Sequence, residues 1–209
     1  MKILGIYFTF DWRKKRELNF DAILKSLRKT LNSWQWRNLS LYGRIQIIKT
    51  FAIPKFMFRA SVISLNKDIV KQVNSIIYQF VWNGKDKIKR LALISDYENG
   101  GFRMPHIESM IDTQHIQCLK KYVDKYSRPW KHFLSYILKN QGGKFILHCN
   151  FSVTDLPTVL PKFYRDCFAV WCKLAKNDTL TESQCKLSMK SYRIIVICEL
   201  VTKLSTVKK

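Results

Sequence analysis

Residues Trp34 to Lys55 read WQWRNLSLYGRIQIIKTFAIPK, and this stretch decides the fold class. Leu39, Leu41, Ile45, Ile48 and Ala52 recur at near-helical spacing and make one apolar face. Ser40 stands directly before that run, where its hydroxyl can accept from a first-turn N–H that has no partner within the helix. Pro54 has no N–H to continue the ladder, so it either ends this helix or starts the next. Arg37, Arg44, Lys49 and Lys55 add positive charge, and no acid stands between Trp34 and Lys55. Two readings fit: a helix that grips a polyanion along its basic edge, or a core helix with an ordinary solvated face.

Working outward, the pattern stays helical. Phe20, Ile23, Leu24, Leu27, Leu31 and Trp34 follow i, i+3, i+4 spacing and predict an amphipathic helix over 21–35, with Lys25, Arg28 and Lys29 on its other face. Helix two spans about 41–51, and a third apolar run covers Lys55 to Val62. Asn66 can cap the next helix. Ile69, Val70, Val73, Ile76, Ile77, Phe80 and Val81 form its stripe, and Gly84 stands where a helix end wants a left-handed residue. Before all of these, Ile3 to Phe10 reads as one strand, followed by a basic knot at Arg13 to Arg16. Asn99-Gly100-Gly101 predicts a hairpin turn between two short extended pieces within 91–106. Further helices are expected over about 107–125, from Ser127 to Leu138, and from Pro157 or Pro161 through Trp171. A strand-like run occupies 192–201. The fold class is mainly α: a helical bundle with one N-terminal strand and a short β-hairpin, then a second helical segment.

These motifs resemble, in register, those of one family. Leu39 to Phe56, LSLYGRIQIIKTFAIPKF, is similar to the segment just after the palm in reverse transcriptases of non-LTR (LINE-type) retrotransposons. Leu4-Gly5-Ile6 resembles the strand closing the palm, and Phe80-Val81-Trp82-Asn83-Gly84-Lys85 the family's F-hydrophobic-W-x-G-K motif. Gly100 to Pro105 resembles its G-G-x-x-hydrophobic-P turn, and Leu160 through Trp171 a helix further on. The likeness runs from residue 3 to about 175, more than four fifths of the chain. It implies a last palm strand at 1–10, a thumb-like bundle at 11–84, a basic linker and hairpin at 85–106, and a helical connector at 107–176. Residues 177–209 match nothing in the family and stay unassigned.

Charge supports the same direction. The 209 residues carry 37 Lys and Arg against 15 acids, a net of +22. Residues 1–90 hold 19 basic and 5 acidic residues, a net of +14, so that part is the expected electrostatic footprint on phosphates. A membrane surface is the competing acidic partner. No stretch reaches the roughly 18 to 20 apolar residues of a spanning helix, and MKILGIYFTFDW lacks a signal peptide's cleavage site. The chain reads as intracellular, cytoplasmic or nuclear. Six cysteines at 118, 149, 167, 172, 185 and 198 include no C-x-x-C pair, which favours buried thiols over a zinc site.

Polymerase chemistry needs carboxylates gathered around two metal ions, and this chain has no adjacent acids. In the family, those acids sit in palm motifs that would precede Leu4. Phosphate-loop and G-x-S-x-G signatures are also absent. His106, His115, His132 and His148 are scattered, and a lone His115 in a helix reads as a packed or surface imidazole. The chain is therefore expected not to be an enzyme by itself and to carry no cofactor, the Mg²⁺ belonging to the intact polymerase. The resemblance implies a non-catalytic piece of a reverse transcriptase whose partners are an RNA or DNA template–primer duplex and the fingers and palm of the parent protein. A stand-alone nucleic-acid-binding or scaffold protein derived from such an element is the alternative, and a pseudogene product is a third.

Arg44, Lys49 and Lys55 are the first candidate phosphate contacts; Lys85, Lys87, Lys89 and Arg90 follow, although 85–90 also reads as a solvated linker. Arg37 belongs to the same basic edge. Gly43 either lets a nucleic-acid backbone approach or is a tolerated helix glycine. Arg44 and Lys49 lie about 140° apart around a helix, so they cannot share a narrow stripe, whereas Ile45 and Ile48 share one buried face.

Overall fold

The apolar stripes read from the sequence become the buried faces of helices. A computed structural model describes residues 1–177; the run at 192–201 lies outside the described residues, as does the tail from 178. Two compact units divide the chain, Met1–Met110 and the part from Ile111 onward.

The first unit begins with β1 (Lys2–Ile3) and β2 (Ile6–Tyr7), an antiparallel pair in which Lys2 faces Tyr7 and Ile3 faces Ile6. The single strand expected over Ile3 to Phe10 is thus a miniature hairpin. Leu4 (φ 48°) and Gly5 (φ 80°) both take positive φ, the geometry of a two-residue turn whose twist matches its strands. Asn19 substitutes for a further strand. Its side chain accepts from Tyr7 N–H (2.9 Å) and donates to Tyr7 C=O (2.8 Å) and Lys15 C=O (2.9 Å) while fully buried. Arg59 adds a second tie by donating through Nη2 to Gly5 C=O at 3.3 Å.

After α1 (Trp12–Arg16) and a π-helical turn at Glu17–Asp21, α2 runs Ala22–Gln35. It buries Ile23, Leu24, Leu27 and Leu31, as the spacing requires. Helix α3 (Leu41–Ile47) is capped by Ser40, whose Oγ accepts from Gly43 N–H at 3.2 Å. The chain then neither stops at Pro54 nor breaks before it. A π-helical turn at Ile48–Ala52 leads into α4 (Ile53–Ala60), with Ile53 N–H bonding to Ile48 C=O. A proline removes one i→i−4 bond and crowds the preceding turn; widening that turn accommodates both effects. Ile45, Ile48 and Ala52 are buried on the inner side.

Helix α5 (Lys67–Trp82) buries Ile69, Val70, Val73, Ile76, Ile77, Phe80 and Val81, the whole predicted stripe, together with Tyr78. Asn66 is its N-cap, and the Asn66 carbonyl receives the Ile69 and Val70 N–H groups. The left-handed residue closing α5 is Asn83 (φ 51°, ψ 39°), one earlier than expected; Gly84 follows at φ 153°, also a glycine conformation.

The hairpin expected in 91–106 is absent among the described residues. Its first arm is a helical turn, α6 (Arg90–Ile94), because Arg-Leu-Ala-Leu are good helix formers. The turn itself falls where predicted, with a 3₁₀ turn at Tyr97–Asn99 closed by Gly100 at φ 72°. The second arm is extended, and Phe102, Arg103 and Met104 donate back to Leu93 and Ser95 carbonyls at 2.9–3.1 Å. A Cβ on Gly101 would lie 2.0 Å from Ser95 O, so only glycine fits there.

Helix α7 (Ile107–Val123) carries the chain into the second unit, followed by α8 (Pro129–Ile137), three short 3₁₀ turns and α9 (Lys162–Asn177). Tyr122, Leu134, Leu138, Leu147, Phe168 and Trp171 are among the residues of its core, and Trp171 Nε1 donates to Leu147 C=O at 3.2 Å. His115 is packed, edge-on to Phe163 with ring centroids 5.5 Å apart; burial lowers its pKa. Cys167 and Cys172 are buried thiols outside any disulfide, and Cys172 Sγ donates to Phe151 C=O at 3.4 Å. Lys131, nearly fully buried, donates to the carbonyls of Asp124 and Tyr126 and to the Asp124 carboxylate. Among the described residues, no helix is long and apolar enough to cross a membrane.

Candidate nucleic-acid interface

Residues 22–67 contain nine lysines and arginines and no acid. In the structure they span α2, α3, the π-helical turn and α4, so three helices of the first unit present an unneutralised basic surface. Lys25, Arg28, Lys29, Arg37 and Lys55 are exposed on it.

Arg44 leaves this surface. Its Nη1 donates to Phe80 C=O (3.2 Å) and Val81 C=O (3.1 Å), in the last turn of α5. Those carbonyls have no partner inside their own helix, and a guanidinium there satisfies both them and the negative end of the dipole. Half-buried Arg44 therefore holds α3 against α5. The same contact sets the site's shape. Arg44, Trp82, Asn83, Lys85, Asp86 and Lys87 are among the residues that line a groove of about 700 Å³ at the end of α5, where Asp86 is paired with Arg90. Two groups of candidates that stand 41 or more residues apart in sequence thus meet along one groove.

The remaining candidates divide by environment. Lys85, Lys87 and Lys89 are exposed. Arg90 is held, its Nε paired with Asp86 Oδ2 at 2.7 Å and its guanidinium 4.1 Å from the Tyr78 ring centre. Arg37 lies 4.2 Å over the Trp34 ring, and Lys55 Nζ donates to Thr30 Oγ1 at 3.2 Å. Gly43 has ordinary helical φ, and an added Cβ would meet Ser40 Oγ at 3.5 Å and Leu39 at 3.7 Å, so the fold does not demand glycine. Lys49 points elsewhere than Arg44, as the helical arithmetic requires. It is half-buried, and its pKa is lowered first by desolvation and then by nearby Arg103.

Sequence reading missed the residues around Lys49. Arg103 takes a left-handed backbone conformation (φ 49°) that non-glycine residues rarely adopt. Its Nε pairs with Asp96 Oδ1 at 2.6 Å, and its guanidinium lies 4.9 Å from the Tyr97 ring centre. Tyr97 in turn contacts Tyr42, with ring centres 6.4 Å apart. The only local signal was the glycine pair at 100–101, which marks a tight turn without naming what it presents. Among the described residues, no three His, Cys, Asp or Glu side chains gather where they could hold a metal ion.

No protein-family model matches the chain. The chain is similar to the Transposon TX1 uncharacterized 149 kDa protein of Xenopus laevis, 22% identical over 180 residues. The alignment covers 82% of this chain and 14% of that protein. That similarity supports a transposon origin. The chain spans about one seventh of the relative's length.

Proposed function

We propose that this chain is the thumb and connector of a non-LTR retrotransposon reverse transcriptase and that its first unit grips the backbone of a template–primer duplex. The observation that carries the reading is the groove at the end of α5, where Arg44 meets Lys85 and Lys87 beside an acid-free basic surface. Its elements include two of the stretches that resemble the family, Leu39 to Phe56 and Phe80 to Lys85. The similarity to a transposon protein supports the same origin.

In this reading Lys85 and Lys87 take the phosphates, while Arg44 contributes field and shape because its guanidinium already serves α5. Such contacts position a duplex and carry no sequence information. The chain holds the nucleic acid and leaves bond formation to the Mg²⁺-binding palm of the intact polymerase.

Equilibrium binding to several primed duplexes of unrelated sequence tests this directly. The expected result is near-equal affinity across sequences and no primer extension with Mg²⁺ and nucleotides. A strong preference for one sequence, or extension above a no-protein control after stringent purification, would overturn it.

A further inference from the structure

Apart from the groove, the first unit carries a second cluster with a different chemistry. Tyr42 and Tyr97 are large aromatics left 49% and 45% exposed, although both are ordered by contact with each other. Their rings are tilted by 48°, forming an open wedge rather than a closed stack. Arg103 lies against Tyr97, and Lys49, two turns beyond Tyr42 on the same helical face, lies near Arg103.

This arrangement is costly without a ligand. Arg103 holds a strained backbone conformation. Lys49 is half-buried beside another cation, and no carboxylate pairs with it among the described residues. Asp96 pairs with Arg103 through Nε, and a guanidinium carries further donors on its outer nitrogens. Two neighbouring cations with one acid paired to Arg103 accept one further negative charge, and exposed tyrosines offer a π-face that any base can cover. Gly101 holds the turn that places Tyr97 and Arg103 together, since no side chain fits against Ser95 O.

We propose that Tyr42, Tyr97, Lys49 and Arg103 form a subsite for one unpaired nucleotide, its base stacked on the tyrosine wedge and its phosphate between Lys49 and Arg103. The inference rests on the duplex-binding reading above. It adds a preference that the groove alone does not supply: a duplex bearing a single-stranded extension binds better than a blunt one.

The test compares a blunt duplex with the same duplex carrying an unpaired oligothymidine extension, using the full chain. The wild type should bind the extended duplex more tightly. Tyr97→Leu should weaken binding of the extended duplex by roughly five- to a hundredfold while leaving the blunt duplex unchanged, and Tyr97→Phe should keep the preference. Lys49→Gln, which removes one charge and spares the tyrosines, should also narrow the difference between the two duplexes. Equal wild-type affinity for blunt and extended duplexes, or equal loss on both from Tyr97→Leu, would overturn this inference alone. Binding of neither duplex would overturn both it and the reading of the groove.

Discussion

Arg44 donates to the Val81 carbonyl at 3.1 Å across 37 residues of sequence, and one side chain thereby closes the end of one helix and builds the wall of the groove beside it. This relationship gives Arg44, a candidate phosphate contact by sequence, a structural role. Charged hydrogen bonds of this kind contribute about 1.5–3 kcal/mol, so Arg44→Ala should lower unfolding free energy by roughly that amount. Urea denaturation followed by circular dichroism checks it. Arg44→Lys should recover only part of the loss, because a lysine cannot present the same planar fork.

Ile48 is fully buried on the inner face of the π-helical turn. Truncation to alanine should cost about 2–5 kcal/mol, as for other buried aliphatic side chains. The same denaturation series checks this, and a loss below 1 kcal/mol would mean that the turn repacks around the void.

Two glycines should behave oppositely. Gly43→Ala adds a methyl group in ordinary contact, so stability should rise by up to about 1 kcal/mol, while the proposed backbone approach at this turn predicts that duplex affinity falls. Gly101→Ala forces a Cβ to within 2.0 Å of Ser95 O and should destabilise the fold by about 1–3 kcal/mol or more. Thermal melts and duplex titrations of the two variants separate these outcomes.

Lys49 predicts a pH dependence. Burial first, and Arg103 second, lower its folded pKa below the usual lysine value, so the unfolded chain binds this proton more tightly. The charge therefore destabilises the fold at all pH values below the folded pKa. That penalty fades as pH rises through the folded pKa toward the unfolded value. Lys49→Met should accordingly be more stable than wild type at neutral pH, and the gap should shrink in alkaline solution. Paired denaturation curves across pH would show it; a variant less stable than wild type at neutral pH would contradict it.

Much of this fold is legible in the sequence. The α2 and α5 stripes were read residue by residue because periodicity is a local signal, and Ser40 was identified as a cap because its partner lies three residues away. Pro54 was half-read: it does begin a helix, but the π-helical turn that carries the chain past it has no local signature. What escaped were bonds that join distant residues. Asn19 has no place in the apolar pattern, yet it pairs both backbone groups of Tyr7. The candidate list for the groove named Arg44, Lys85 and Lys87, but not that Arg44 is committed to α5. Tyr97 and Arg103 were invisible as a site, because Lys49 and Tyr42 meet them only through tertiary packing.

The central claim is that exposed lysines at the end of α5 hold duplex phosphates, and salt-dependent binding tests it most directly. Lys85 and Lys87 are exposed and form no ion pair among the described residues, so replacing both with alanine should leave unfolding free energy nearly unchanged. Log affinity of wild type for a primed DNA duplex should fall linearly with log salt concentration. The Lys85→Ala, Lys87→Ala double variant should flatten that slope by about 1.8 units, since each B-DNA phosphate contact contributes about 0.9. Arg90→Ala should change it less, because Asp86 already pairs with Arg90. A wild-type affinity independent of salt, or a double variant with the wild-type slope, would contradict the account.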